Sequence, residues 1–202
     1  MKTGVLLYFS LSFLCAFRCC AQEDSLYFTL INDFIKAIQD EGTIFYSDKP
    51  MKDVFRKHFK AVSLTLKDVN PDRGRNLKIT VAEQSHILRQ MKKSLTSKLP
   101  DNLFNNSKRI SADSICEFVF RLSRNIYDSL ISIPDSAAAF KYIRSIKQPA
   151  FFFTHPIYIR NKSILICYFM WYINSSGEEW LGVYKKEGNK WVKWSIISGS
   201  AW

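Results

Sequence analysis

The chain has few glycines and prolines and no long apolar stretch, and these absences exclude several classes of protein. Its 202 residues include only 7 glycines and 6 prolines, which excludes collagen-like and low-complexity sequences. The longest apolar stretch, Val5–Phe17, is too short to cross a bilayer as a helix. Hydrophobic residues make up 47% of the chain, enough to bury a core, so we predict a folded chain and not a disordered one.

Sequence motifs for catalysis, metal ions and cofactors are also missing. The three histidines, His58, His86 and His155, stand in no HExxH, His-x-x-x-His or Cys-x-x-Cys arrangement, and there is no P-loop, G-x-S-x-G or G-x-G-x-x-G motif. We therefore predict a protein that is not an enzyme and that holds no metal or cofactor. The alternative is a small envelope hydrolase that uses carboxylates such as Glu117, whose apolar sequence neighbours would raise its pKa by desolvation.

Residues 1–21 are organised like a secretory signal peptide. Lys2 supplies a basic start, Val5–Phe17 supplies an apolar core, and Cys19 and Ala21 are small residues at positions −3 and −1 of a cleavage after Ala21. We predict export, either into the periplasm or to the outside, and a mature chain of residues 22–202 that forms a single α+β domain. Attachment of a lipid to Cys20 is the alternative to this cleavage.

Two cysteines remain once the leader is removed, Cys116 and Cys167. In an oxidising compartment they would be able to form a disulfide. Free cysteines are, however, commonly buried as small apolar residues. Their spacing does not choose between the two possibilities, and we expect core residues, with the disulfide as the alternative.

The first part of the predicted domain, residues 22–149, has the apolar spacing of helices. Four are predicted, over residues 25–40, from Val81 to a point before Pro100, and over 112–127 and 136–146. Thr80 and Glu83 have the spacing of a capping box, which marks the start of the second helix. The expected buried residues of that helix are Val81, Leu88, Met91 and Leu95. Residues 61–67 alternate like a strand, with three apolar side chains on one face: Val62, Leu64 and Leu66.

The last part, residues 150–202, has the pattern of strands. Four strand-like runs separated by short turns predict a four-stranded antiparallel meander, with strands over residues 150–160, 163–173, 180–186 and 190–198. The second run is apolar on both faces, so we expect a central strand that helices cover on one side. Glu178 and Glu179 fall in a predicted loop, where we expect both to be solvated. Helices followed by a block of strands predict the α+β fold class.

All five tryptophans of the chain lie in this last part. Four of them are candidates for an aromatic ligand-binding face: Trp171, Trp180, Trp191 and Trp194. Core packing is the alternative for at least part of the set, because Trp194 alternates with the apolar Val192 and Ile196 on one side of a strand.

Three short sequences stand out in the last part: His155-Pro156-Ile157-Tyr158, Asn161-Lys162, and the run from Lys185 to Trp191. Together they resemble the C-terminal half of secreted Bacteroidota proteins of unknown activity. The Cys-Ala-Gln sequence at residues 20–22 is similar to the ends of signal peptides in that group, and the acidic pair after it resembles the export signals of its surface lipoproteins. The resemblance implies a secreted or periplasmic location and does not imply any activity.

Four serines follow an aspartate and precede an aliphatic residue: Ser25, Ser114, Ser129 and Ser136. This pattern resembles the O-glycosylation acceptor sequence of periplasmic Bacteroidota proteins. Aspartate and serine are also good helix caps, and three of the four serines stand at predicted helix starts. We therefore favour capping, with modification as the alternative.

Positive charge is concentrated in one part of the sequence. The chain has 29 Lys and Arg against 18 Asp and Glu, and residues 49–109 hold 15 of the former and 5 of the latter, a net charge of +10. The rest of the predicted mature chain is nearly neutral. Ten clustered cations of this segment are candidates for binding anions: Lys52, Arg56, Lys57, Lys60, Arg73, Arg75, Lys78, Arg89, Lys92 and Lys93.

Such a segment attracts anions with a strength that falls as the salt concentration rises. In an exported protein the expected partners are anionic lipid, lipopolysaccharide or polysaccharide. Nucleic acid is not expected, because no nucleic-acid-binding motif accompanies the charge. We predict a binding module with a basic surface; an immunity or inhibitor protein is a further alternative.

Overall fold

The computed structural model describes residues 25–39, 42–131, 149–173 and 176–201, apart from the side chains of residues 123 and 125–131. The predicted signal peptide with Cys20 lies outside these residues. So do the predicted helix over 136–146 and, with it, Ser136.

Four helices and nine strands occur in these ranges. The helices are α1 (25–38), α2 (Lys52–Lys57), α3 (Val81–Ser94) and α4 (Ile115–Ile131), with 3₁₀ turns at His58–Ala61 and Pro71–Arg73. The strands are β1 (Ile44–Ser47), β2 (Thr65–Lys67), β3 (Asn76–Lys78), β4 (Ser107–Ile110), β5 (Ala150–Phe153), β6 (Ile157–Ile159), β7 (Ile164–Ile173), β8 (Ser176–Glu187) and β9 (Lys190–Ala201). Within the described ranges, none of the helices combines the length and the apolar character that a membrane crossing requires.

Seven of the strands form one mixed sheet, and the α+β class is confirmed. The strand order is β4-β1-β5-β7-β8-β9, and β6 also pairs with β7. β1 lies parallel to both β4 and β5, whereas β5, β6 and β8 are antiparallel to β7, and β9 is antiparallel to β8. β2 and β3 form a separate antiparallel hairpin.

The sheet differs in two ways from the predicted four-stranded meander. Its two additional strands, β1 and β4, come from the first part of the chain. They can pair in parallel because α2, the β2–β3 hairpin and α3 lie between them and supply the crossover that parallel strands need. The predicted first strand is also interrupted at residues 154–156, which divides it into β5 and β6.

Side chains cover the sheet on both faces. On the side that we call the α3 face, α2, the hairpin, α3 and α4 pack on residues such as Phe152 and Ile166. On the opposite side, the α1 face, helix α1 packs on residues such as Phe151 and Phe169. β7 is therefore central and buried, as predicted, but helices cover it on both sides and not on one.

Helix α3 begins where the sequence predicts. Thr80 Oγ1 accepts a hydrogen bond from the N–H of Glu83 at 3.1 Å, and Glu83 Oε2 accepts one from the N–H of Thr80 at 2.7 Å, which completes the capping box. The prediction that Val81 is buried is wrong, since its side chain is 66% exposed. Val81 points away from the buried stripe of α3, which contains Ile87 and Met91.

The predicted strand over residues 61–67 is shorter than expected. The chain first makes the 3₁₀ turn, and β2 begins only at Thr65. Val62 and Leu66 are buried, but Leu64 is 47% exposed, contrary to the prediction. Leu64 precedes the strand, so the alternation of a strand does not apply to it.

Candidate anion-binding site

The ten cations predicted to bind anions all have exposed side chains. They are carried by α2 and the turn after it, by the β2–β3 hairpin and by α3, all of which pack on the α3 face of the sheet. On α3, Arg89, Lys92 and Lys93 lie opposite the buried Ile87 and Met91, because residues three or four apart share one side of a helix. We call these ten residues the basic face.

Hydrogen bonds between these elements hold the basic face together. Gln84 Nε2 of α3 donates to the carbonyl of Val62, just after the first 3₁₀ turn, at 2.9 Å. The N–H of Ile79, between the hairpin and α3, donates to the carbonyl of Leu64 at 2.9 Å. The elements that carry the cations are therefore held in fixed positions relative to one another on the same side of the sheet.

Within the described ranges, no ion pair neutralises a cation of the basic face. The Lys and Arg side chains paired with a carboxylate there are Lys98, Arg109, Arg121 and Arg160. Glu83, at the start of α3, is already engaged. The hydrogen bond from the Thr80 N–H, and then Arg160, hold the pKa of the Glu83 carboxyl below its ordinary value.

A cleft of about 670 Å³ adjoins the basic face at the C-terminal end of α3. Its described lining residues come from α1, from α3 and the chain after it, and from residues 155–162; they are Phe28, Gln90, Lys93, Ser94, Ser97, Pro100, His155, Pro156, Tyr158 and Lys162. None of these carries a carboxylate. Lys93 belongs to both the cleft and the basic face.

The cleft opens beside the interruption between β5 and β6. In the described chain β6 pairs with β7 alone, so no strand covers its other edge. The Tyr27 hydroxyl donates to the carbonyl of Thr154 in the interruption. The Tyr46 hydroxyl donates to the carbonyl of Pro100 at 2.7 Å. These two bonds fix the chain on either side of the cleft.

The turn after β6 presents Lys162 to the cleft. Residues 160–162 have φ values of 53°, 51° and 60°, three consecutive residues in the left-handed region. The guanidinium of Arg160 anchors this turn, since Nε donates to Glu83 Oε1 at 3.1 Å and Nη2 donates to the carbonyl of Lys78 at 2.5 Å. The backbone that carries Lys162 is thus tied to the start of α3.

The four tryptophans proposed as one aromatic face are divided between the two sides of the sheet, which corrects that prediction. Trp171, Trp180 and Trp191 pack on the α1 face. Trp194 packs on the α3 face, and Lys185 Nζ lies 4.2 Å from the centroid of its ring. A sheet separates Trp194 from the other three, so the set does not line one groove.

The two cysteines of the domain are free, so the alternative of a disulfide between them does not hold. Cys116 lies on α4 and packs on the α3 face, whereas Cys167 lies in β7 and is fully buried on the α1 face. The sheet keeps the two sulfur atoms apart. Burial raises the pKa of both thiols, most strongly that of Cys167.

Alkylation of the native protein by iodoacetamide should therefore discriminate between the two thiols. We expect no modification of Cys167 and slow modification of Cys116, because only the latter is partly accessible and the thiolate is the reactive form. In denaturant without reductant, both peptides should be fully alkylated in the mass spectrum. A Cys116–Cys167 linked peptide under those conditions would contradict the structure.

The predicted environments of two glutamates are also corrected. Glu117 is exposed and forms an ion pair with Arg121 at 2.9 Å, so its apolar sequence neighbours do not desolvate it. Glu178 is exposed, as expected. Glu179, in contrast, lies within β8 and is only 5% exposed, so it is not a solvated loop residue.

Glu179 is the centre of a buried polar cluster. His58 Nε2 lies 3.1 Å from Glu179 Oε2. The Tyr168 hydroxyl donates to the same oxygen at 3.2 Å, and Ser200 Oγ donates to Oε1 at 2.8 Å. Burial, and then the neighbouring carboxylate, raise the pKa of Tyr168 well above its ordinary value, so this phenol keeps its proton and donates.

The protein encloses His58, Tyr168 and Glu179 of this cluster, whereas Ser200 at its edge is exposed. His58 is 2% exposed, and its Nδ1 has no hydrogen-bond partner in the part of the chain that is described. The cluster ties the first 3₁₀ turn to β7, β8 and β9. One sequence signal indicates that Glu179 is buried: it is spaced by two residues from Leu181 and by four from Val183, so all three lie on the same face of the strand. Over the same described ranges, no group of three or more His, Cys, Asp or Glu side chains is placed to hold a metal ion.

The candidate glycosylation serines have different positions. Ser25 and Ser114 are exposed at the starts of α1 and α4. Ser129 lies inside α4. Glycosylation of these residues stays the alternative to helix capping.

Fold and site together define an α+β protein with a mixed seven-stranded sheet, a basic face on one side of it and a cationic cleft at the end of α3. Models of known protein families, characterised proteins and solved structures give no match to the chain. The basic face and the cleft are the features that bear most directly on function.

Proposed function

We propose that the protein is an exported, non-enzymatic binding module whose basic face binds phosphate and carboxylate groups of anionic envelope components. These components are an anionic lipid, lipopolysaccharide or polysaccharide. One observation supports this most strongly: ten exposed cations lie on one side of the sheet, and none is paired with a described carboxylate. Such a surface is complementary to an array of anions.

An array is needed because each exposed charge contributes little. The Debye length at physiological ionic strength is about 8 Å, so a single surface cation attracts only nearby anions. At an anionic membrane surface each Lys or Arg contributes about 1 kcal/mol. Several cations acting together thus give a useful affinity that depends strongly on salt.

The proposed location rests on residues 1–21, which have the pattern of a signal peptide. Export would bring the basic face to the anionic lipids and glycans of a cell envelope. Attachment through Cys20 would hold the same face close to a membrane. The enzymatic alternative has less support, because Glu117 is exposed and paired and Glu179 is enclosed.

Removal of three cations from the basic face, Lys60→Ala, Arg89→Ala and Lys92→Ala, should weaken binding to anionic vesicles about a hundredfold, at about 1 kcal/mol for each residue. Sedimentation with phosphatidylglycerol vesicles at low salt measures the affinity, and an acidic polysaccharide pull-down tests the glycan in parallel. Binding of the unmodified protein should fall as salt is added.

The matched control removes three exposed cations outside residues 49–109, Lys36→Ala, Lys190→Ala and Lys193→Ala. We expect it to bind nearly as well as the unmodified protein. An equal loss in both triple variants would mean that total charge, and not the basic face, governs binding. Retention that is indifferent to salt would exclude the electrostatic mechanism.

A further inference from the structure

We infer that the cleft at the end of α3 is a binding site for a single acidic sugar unit, one that carries a carboxylate or a phosphate. This inference rests on the proposed function, because it assigns to the cleft the recognition of one unit of the anionic glycan to which the basic face is attracted. The cleft volume of about 670 Å³ falls in the range of about 300–1,000 Å³ that is usual for small-molecule sites. The volume is more than one inorganic ion needs.

The charge of the lining selects an anion. Lys93 and Lys162 bring two ammonium groups to the cleft, His155 brings an imidazole, and no described lining residue brings a carboxylate. The C-terminal dipole of α3 opposes an anion with about half an elementary charge. The two lysines outweigh that dipole, so the described part of the lining favours negative charge.

The remaining lining residues select a sugar over a bare anion. Gln90, Ser94 and Ser97 are uncharged hydrogen-bonding groups suited to hydroxyls. Phe28 and Tyr158 offer aromatic surface. Inorganic phosphate has no apolar atoms that would pack against it. An acidic sugar has all three matching parts: a charged group, several hydroxyls and an apolar C–H face.

The key groups are held in place before a ligand arrives. The Tyr158 ring stacks on Trp191, with centroids 5.9 Å apart and planes at 27°. Lys162 Nζ lies 5.8 Å from the centroid of the Tyr158 ring. Arg160 anchors the turn that carries Lys162, and Lys93 stands on the last turn of α3. A site that is already ordered loses less entropy when it binds.

Isothermal titration calorimetry with the unmodified protein tests this inference, with glucuronic acid, glucose 6-phosphate, glucose and inorganic phosphate as probes. At least one of the two acidic sugars should bind at least tenfold more tightly than glucose and than inorganic phosphate. Comparing the affinities of glucuronic acid and glucose 6-phosphate shows whether the site prefers a carboxylate or a phosphate. Equal binding of glucose would overturn the role of charge. Equal binding of inorganic phosphate would overturn the role of the sugar ring.

The variant Lys93→Gln with Lys162→Gln should lose acidic-sugar binding tenfold or more, while its affinity for anionic vesicles falls only by the contribution of the lost charge. The control Arg89→Gln with Lys92→Gln removes two neighbouring cations of α3 that do not line the cleft, and it should keep sugar binding. Failure of both acidic sugars to bind, with vesicle binding intact, would overturn the cleft site and leave the proposed function standing. If the unmodified protein bound an acidic sugar but not vesicles, the proposed function would be overturned and the cleft site would stand.

Discussion

Glu179→Ala is expected to lower the free energy of unfolding by about 2–5 kcal/mol, because a buried polar group that loses its hydrogen-bond partner costs about 1–3 kcal/mol and two such groups lose theirs. The carboxylate interacts with His58, Tyr168 and Ser200 inside the protein. Its removal leaves the buried His58 and Tyr168 without their common partner, whereas the exposed Ser200 is able to bond to water. Urea unfolding followed by circular dichroism measures the change.

Two companion variants make this result interpretable. Glu179→Gln keeps the shape and one acceptor oxygen, so we expect a smaller loss, of about 1–3 kcal/mol. Glu178→Ala changes the exposed neighbour and should stay within about 0.5 kcal/mol of the unmodified protein. If Glu179→Ala and Glu178→Ala were equally stable, the buried cluster would contribute nothing to the fold.

Phe169→Ala should cost a similar amount, about 3–5 kcal/mol, for a different reason. The ring is fully buried on the α1 face, with its centroid 5.3 Å from that of Phe34, 6.1 Å from that of Phe151 and 4.8 Å from that of Trp180. Its loss leaves a cavity between α1 and the sheet and removes three aromatic contacts. Thermal unfolding should show a midpoint lower by about 2–4 °C for each kcal/mol.

The control is Phe120→Ala on α4, where the side chain is 50% exposed. We expect a change several times smaller than that of Phe169→Ala, since little apolar surface is lost. Tryptophan fluorescence gives a second measurement, because Trp180 packs against Phe169 and should become more exposed in the Phe169 variant. Equal destabilisation by the two substitutions would contradict the burial described for Phe169.

The elements predicted correctly are those with a local physical signal. The capping box at Thr80 and Glu83 needs only residues three apart. Strand β7 is recognisable because seven of its ten residues are β-branched or aromatic and the other three are Leu165, Cys167 and Met170. The turn at Gly188 needs a residue that adopts a positive φ, here 59°.

The elements that were missed have no such signal. β4 has the sequence Ser-Lys-Arg-Ile, which neither alternates nor is apolar. It becomes a strand only because β1 offers a parallel edge, with Ile44 paired to Ser107 across a long crossover. α2 has six residues and does not form a helix on its own in water. Packing of α2 on the rest of the fold, through the buried Phe55, stabilises this helix.

Charge and periodicity are properties of neighbouring residues, so the basic character of residues 49–109 and the helices and strands with clear spacing follow from the amino-acid sequence. Burial and pairing depend on residues far apart. Only the folded chain brings His58 to Glu179 across 121 positions, places Cys116 and Cys167 on opposite faces, and gathers residues from Phe28 to Lys162 around one cleft. These contacts depend on how the sheet is assembled, and no local pattern encodes that assembly.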